Sequence, residues 1–157
     1  MKYKELQVDL LKAAYNNKQN KNICIGQDTD NYYVTLDTHA IHRLPKKETL
    51  IDIDKLLKDL GKGYLSKSTI ESIFKDLNKY LVLTNDSKLI DKKTLKIFKG
   101  DNFKVYVDEK LLKYNHLDGA VFKGAKQNYP VGIYEARDLI CNSVIMPVNV
   151  KEEANGE

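Results

Sequence analysis

The sequence predicts an α+β fold, with antiparallel strands gathered into one or more sheets and two helices packed on one face. Three observations predict it. Apolar residues recur at helical spacing in a few separated segments. The strand-like segments fall in groups between those helices instead of alternating singly with them, which disfavours a doubly wound parallel sheet. With 157 residues, 42% of them apolar and 31% charged, the chain has the size and composition of one compact domain, read here as residues 1–150.

Tyr3, Leu6, Leu10, Ala13 and Ala14 recur at steps of three and four and mark one face of an opening helix, with Lys2, Lys4 and Lys12 off that face. Ile23 and Ile25 then alternate with polar neighbours. Asp28 to Asn31 supplies a turn, and Tyr32 to Leu36 returns as the antiparallel partner. The next stretch stops at Pro45, and Thr49 to Ile53 resumes a short extended run. Ile53, Leu56, Leu57 and Leu60 form a second helical stripe closed by Gly61. Ser68 and Glu71 read as a capping box opening a third helix through Ile70, Ile73, Phe74, Leu77 and Leu81.

Past Leu83 the pattern turns to strands, Thr94 to Phe98 and then Phe103, Val105 and Val107, around the turn Gly100-Asp101-Asn102. Asp108 is expected to cap a fourth helix carrying Leu111, Leu112 and Leu117 and stopping by Gly119. Val121-Phe122, Val131 to Tyr134 and Leu139 to Val148 read as extended. The tail 151–157 is too polar to pack and is expected to be disordered.

Composition narrows the function classes. No apolar stretch is long enough to cross a bilayer and the charged N-terminus is unlike a signal peptide, so a cytoplasmic protein is expected. Twenty-six Lys and Arg against 22 Asp and Glu give +4, which admits a polyanionic partner without requiring one. Only Arg43 and Arg137 are arginines, so base reading by guanidinium forks is disfavoured. Cys24 and Cys141 complete no metal-ligand spacing and read as reduced thiols. His39 and His42 lie on a strand and turn, where residues three apart point to opposite faces, so no metal site is expected. His116 belongs to no nucleophile motif, and Gly61-Lys62-Gly63 and Gly119 to Gly124 lack phosphate-loop form. No enzyme, catalytic residue or cofactor is expected.

The C-terminal run Tyr129-Pro130-Val131-Gly132-Ile133-Tyr134, followed by Val144-Ile145-Met146-Pro147-Val148, resembles the closing hairpin of the bacterial DNA polymerase sliding clamp. The helix expected over Glu109 to Leu117 is similar to the clamp's pore-side helix, and Leu6 to Tyr15 to its opening helix. Asp30 to Ile41 resembles the strand entering the clamp's T-D-G-H-R-L corner, with Asp37 and His39 matching and Thr38 and Ala40 replacing Gly and Arg. The likeness touches about half of the chain and implies a single clamp-like domain with an inserted helical region at 60–96. That reduction to one domain suggests a phage or mobile-element origin.

By that resemblance, Lys2, Lys4, Lys12, Lys18, Lys110 and Lys113 would hold duplex DNA non-specifically. Asp37, His39 and Ile41 together with Val144, Ile145, Met146, Pro147 and Val148 would contact replication proteins or a second copy of the chain, in a possible homo-oligomer. The final strand is expected either to lie at a sheet edge or to end its pairing at Pro147. A small DNA-binding transcriptional regulator, with a winged-helix-like module around 66–98, is the alternative.

Overall fold

A computed structural model describes residues 1–135 and 140–151. Arg137, Leu139 and the tail beyond Lys151 lie outside the described residues. The architecture is α+β. Helix α1 (Tyr3–Ala14) precedes strands β1 (Cys24–Gln27), β2 (Asn31–Thr35) and β3 (Ala40–Pro45); helices α2 (Ile53–Leu60) and α3 (Lys67–Ile73) follow. The rest of the chain contributes β4 (Lys79–Ile90), β5 (Lys93–Lys99), β6 (Lys104–Asp108), β7 (Val121–Gly124), β8 (Val131–Tyr134) and β9 (Ser143–Ile145). All nine strands join one antiparallel sheet in the order β1-β2-β3-β9-β8-β7-β4-β5-β6.

Two helices, α1 and α2, share a face; the expected partner of α1, a helix beginning at Asp108, does not form. Leu6, Leu10, Ala13 and Ala14 of α1 and Ile53, Leu56 and Leu57 of α2 pack with Ile23, Ile25, Val34 and Leu44. Asp52 caps α2 by accepting from Lys55 N at 3.0 Å, and Gly61 ends it at φ 65°, a left-handed position suited to glycine. Helix α3 lies on the opposite face, where Ile70 joins Tyr33, Ile41 and Val144. Gly26 makes that seat possible, because a Cβ there would collide with the Ile70 side chain. A further core, with Leu81, Phe98, Val105, Phe122, Ile133 and Ile145, packs on one face of the β4–β9 half. The chain beyond β9 reaches the outer strand, with Val148 N donating to Tyr106 O at 2.8 Å.

Several expectations are corrected. The fourth helix is a single 3-10 turn, Glu109–Leu112, although Asp108 caps it as expected by accepting from Lys110 N. Leu112 and Tyr114 are both buried, in two different cores. Two residues apart on an α-helix they would point to nearly opposite sides. The Tyr114 carbonyl is instead taken by Lys2 N at 2.8 Å. The third helix is capped by Ser66, which accepts from Thr69 N, and ends at Ile73; Leu81 belongs to β4, opposite Phe122. The helical insertion at 60–96 is therefore half sheet, since β4 and β5 occupy 79–90 and 93–99.

No strand forms over Thr49 to Ile53. There the Gln7 side chain replaces a neighbouring strand, donating to Glu48 O at 3.1 Å and accepting from Leu50 N at 2.6 Å. Strand β9 is central, paired with β3 and β8, and its ladder ends at Ile145, before Pro147. Pro147 thus stops the pairing as one branch of the expectation held, but not at an edge. Among the described residues no helix is long and apolar enough to cross a membrane.

Candidate functional site

The β2–β3 turn sets one wall of a cleft of about 580 Å³, and the segment after Asp108 sets the other. Asp37 Oδ1 accepts from His39 N at 2.9 Å, and Thr38 takes φ 70° where the resembled family has glycine. Asp37, Lys110 and Lys113 all line this cleft, so three of the expected residues do meet. Lys113 is already engaged, 2.6 Å from Asp9 Oδ2 and 4.8 Å from the centre of the Tyr114 ring. Tyr114 donates to the same carboxylate at 2.6 Å. Burial of Asp9 works against its charge, but the bonds from Lys113 and Tyr114 outweigh it and hold the carboxyl below its ordinary value.

A polar network lies beneath the cleft. His42 Nδ1 sits 2.7 Å from Ser143 Oγ, and Asn115 Nδ2 donates to that oxygen at 3.0 Å. Burial, helped by the nearby Lys113 charge, pushes His42 down to about 4, so its ring is neutral near pH 7. The pair has the spacing of a base and a nucleophile. Ser143, however, is 0% exposed within the central strand, so no substrate reaches its oxygen. Sequence reasoning missed the pair because 101 residues separate its members. The Asn115 Oδ1 atom is buried with no partner. Glu135, also buried, accepts from His116 N and lies 2.8 Å from the Met1 amino group. A second cleft of about 360 Å³ runs beneath α3 past Tyr33, Phe74 and Cys141. Burial there raises the Cys141 thiol to about 11, and its S–H donates to Ser143 O at 3.1 Å.

The other expected residues divide. Lys2 just before α1 and Lys4 and Lys12 on it are exposed, interleaved with Glu5 and Asp9, while Lys18 follows the helix in an exposed turn. Ile41, Val144 and Ile145 are 3%, 1% and 0% exposed and belong to the cores, so they offer no side chain to a partner. That corrects their assignment. Asp37, His39 and Met146 are exposed, Pro147 and Val148 half-buried. Met146 N donates to His39 O at 2.7 Å, so the corner and the end of the last strand adjoin within one chain. Among the described residues no group of three His, Cys, Asp or Glu side chains could hold a metal. The α3–β4–β5 stretch is a poor groove reader: α3 has seven residues, its Ile70 docks on the sheet, and Glu71 pairs with Lys67 at 3.8 Å.

The strongest charge lies elsewhere. Residues 79–104 carry seven lysines against three aspartates, an excess equal to the whole chain's +4, so everything else balances. Asp91 and Lys92 turn the hairpin at φ 49° and 64°, the geometry of a type I′ turn. Beyond Leu83, β4 has only β5 beside it. Lys79, Lys88, Lys92, Lys93, Lys99 and Lys104 are all exposed. A window count of charge along the sequence finds this region; the expected lysines were chosen by helix position instead. No family model matches the chain, and neither a curated protein nor a solved structure does.

Proposed function

We propose that this chain is a non-enzymatic protein that holds DNA without reading its sequence, through the lysines of β4 to β6. The concentration of the chain's entire charge excess in residues 79–104 carries this reading. A lysine beside a phosphate releases condensed counterions, which gives sequence-independent affinity that falls with salt. Base reading has little to work with. Arg43, the one arginine among the described residues, is 8% exposed and donates to Asn31 at 3.2 Å.

A sliding-clamp arrangement is the narrower form of the proposal. Its support is that α1 and the segment after Asp108 lie side by side, joined by Tyr114 to Asp9 and by Lys2 N to Tyr114 O. A second reading, capture of a peptide from a replication protein, is favoured by the contact between His39 and Met146. Fluorescence anisotropy on unrelated DNA duplexes at low and moderate salt tests the main reading. Similar affinities that fall steeply with salt are expected. A strong preference for one duplex, salt-insensitive binding or no binding contradicts it.

A further inference from the structure

On the face of the sheet away from the β4–β9 core, one patch between β4 and β7 is uncovered. Paired residues share a face, so Tyr80 and Val82 of β4 lie together with Lys99 of β5, Lys104 of β6 and Lys123 of β7. Farther along, the same side is covered by Val148 and Val150, which pack on Leu95 and Tyr106. Tyr80 and Val82 stay 71% and 67% exposed.

Two features set this patch apart from an ordinary solvated face. Lys99 and Lys104 stand directly opposite each other, a like-charge pairing that weakens a sheet. Neither makes an ion pair among the described residues. Beside them an aromatic ring and a branched aliphatic chain face water. The Lys123 ammonium lies 5.3 Å from the centre of the Tyr80 ring and 4.6 Å from that of Tyr134.

We infer that this face binds an unpaired DNA strand, with a base stacked on Tyr80 against Val82 and phosphates held by Lys99, Lys104 and Lys123. The inference rests on the DNA-binding reading above and narrows it to a strand and a site. An unpaired base offers its flat face to an exposed ring, whereas a duplex hides its base faces in the stack and offers only phosphates. The charge complementarity is that of a backbone passing over the uncompensated lysines. Val82, lying beside the ring, gives a ribose 2′-hydroxyl no hydrogen-bond partner, so DNA is favoured over RNA.

The test is fluorescence anisotropy of the full chain with a labelled oligothymidine, the same strand annealed to its complement, and an oligouridine of equal length. The proteins are wild type, Tyr80→Ala, Tyr80→Phe and the double variant Lys99→Ala with Lys104→Ala, each checked for fold by circular dichroism. Wild type should bind oligothymidine more tightly than either other ligand. Tyr80→Ala should weaken oligothymidine binding about tenfold and leave duplex binding unchanged, while Tyr80→Phe keeps the affinity. The lysine double variant should weaken both DNA forms and flatten their salt dependence. Unchanged oligothymidine affinity in Tyr80→Ala, or duplex or oligouridine bound as tightly as oligothymidine, overturns the inference while duplex binding leaves the broader reading intact. A wild-type chain that binds no nucleic acid, as expected if a protein covers this face, overturns both.

Discussion

In β2, between helix α1 and helix α3, Asn31, Tyr33 and Val34 are buried and no residue is fully exposed; in β4, only Leu81 of twelve residues is buried. Both strands sit in the same antiparallel sheet. The first has helices over both faces and its side chains are chosen for packing: Leu6, Leu10, Ile23, Ile25, Val34 and Leu44 are 0% exposed. The second has the Leu81 core on one side, and its other side carries the exposed Tyr80, Val82 and Lys88, with only Ile90 reaching a small cluster at its end. A strand covered by helices on both faces is buried along its length, whereas β4, with one face open, carries exposed and charged side chains.

The comparison breaks most directly by truncation. Leu10→Ala should cost about 2–5 kcal/mol, from lost burial and the cavity left behind. Val82→Ala, at an exposed position, should stay within about 0.5 kcal/mol. Chemical denaturation midpoints give both numbers, and equal costs would erase the distinction between the regions.

A pH titration of stability sharpens it. His42, buried against Ser143 with Lys113 and Tyr114 nearby, has its folded value near 4. Above about pH 6.5, the ordinary histidine value, it is neutral folded and unfolded and adds no slope. Between about 6.5 and 4 the unfolded chain takes up a proton that the folded chain refuses, so stability should fall by roughly 3 kcal/mol and then level. His42→Gln should remove that fall. Asp9 acts in the same sense but lower down: its depressed folded value adds stability above the unfolded value of 3.8, lost only at more acid pH. A curve identical with and without His42 would show that the ring titrates freely.

Two smaller effects follow. Thr38 holds a β-branched side chain at φ 70°, so Thr38→Gly should raise stability by up to about 1 kcal/mol in thermal unfolding; a loss would mean that Thr38 packs usefully. Lys104→Glu places an acid opposite Lys99 and should stabilise the arm formed by β4, β5 and β6 by about 0.2–1 kcal/mol while weakening DNA binding. Lower stability would show that the two lysines do not repel.

The covered half was the more legible in sequence. The α1 stripe, the α2 stripe with its Gly61 stop and the β1–β2 hairpin all came from local periodicity and turn chemistry. What failed was set by distant partners. Residues 109–117 have good helix periodicity, but Lys2 N, Asp9 and Ser143 draw Tyr114 and Asn115 out of any helical path. Pro147 stops the ladder as one reading of it held, but the other, an edge, fails because it sits just past the β3–β9–β8 ladder and β9 lies in the centre. Of the residues expected at a site, Asp37, Lys110 and Lys113 share a cleft. The patch around Tyr80 was not legible, because it exists only once β4, β5, β6 and β7 are in register.

The central claim is that DNA is held by the arm and not by the opening helix. One measurement separates them: the salt dependence of duplex affinity for Lys99→Glu with Lys104→Glu, set beside Lys4→Glu with Lys12→Glu. The two double variants make the same change in net charge. The arm variant should lose most of the affinity and show a shallower slope, by about 0.9 for each phosphate contact removed, while the helix variant stays near wild type. A helix variant that loses affinity and slope while the arm variant keeps both would contradict it.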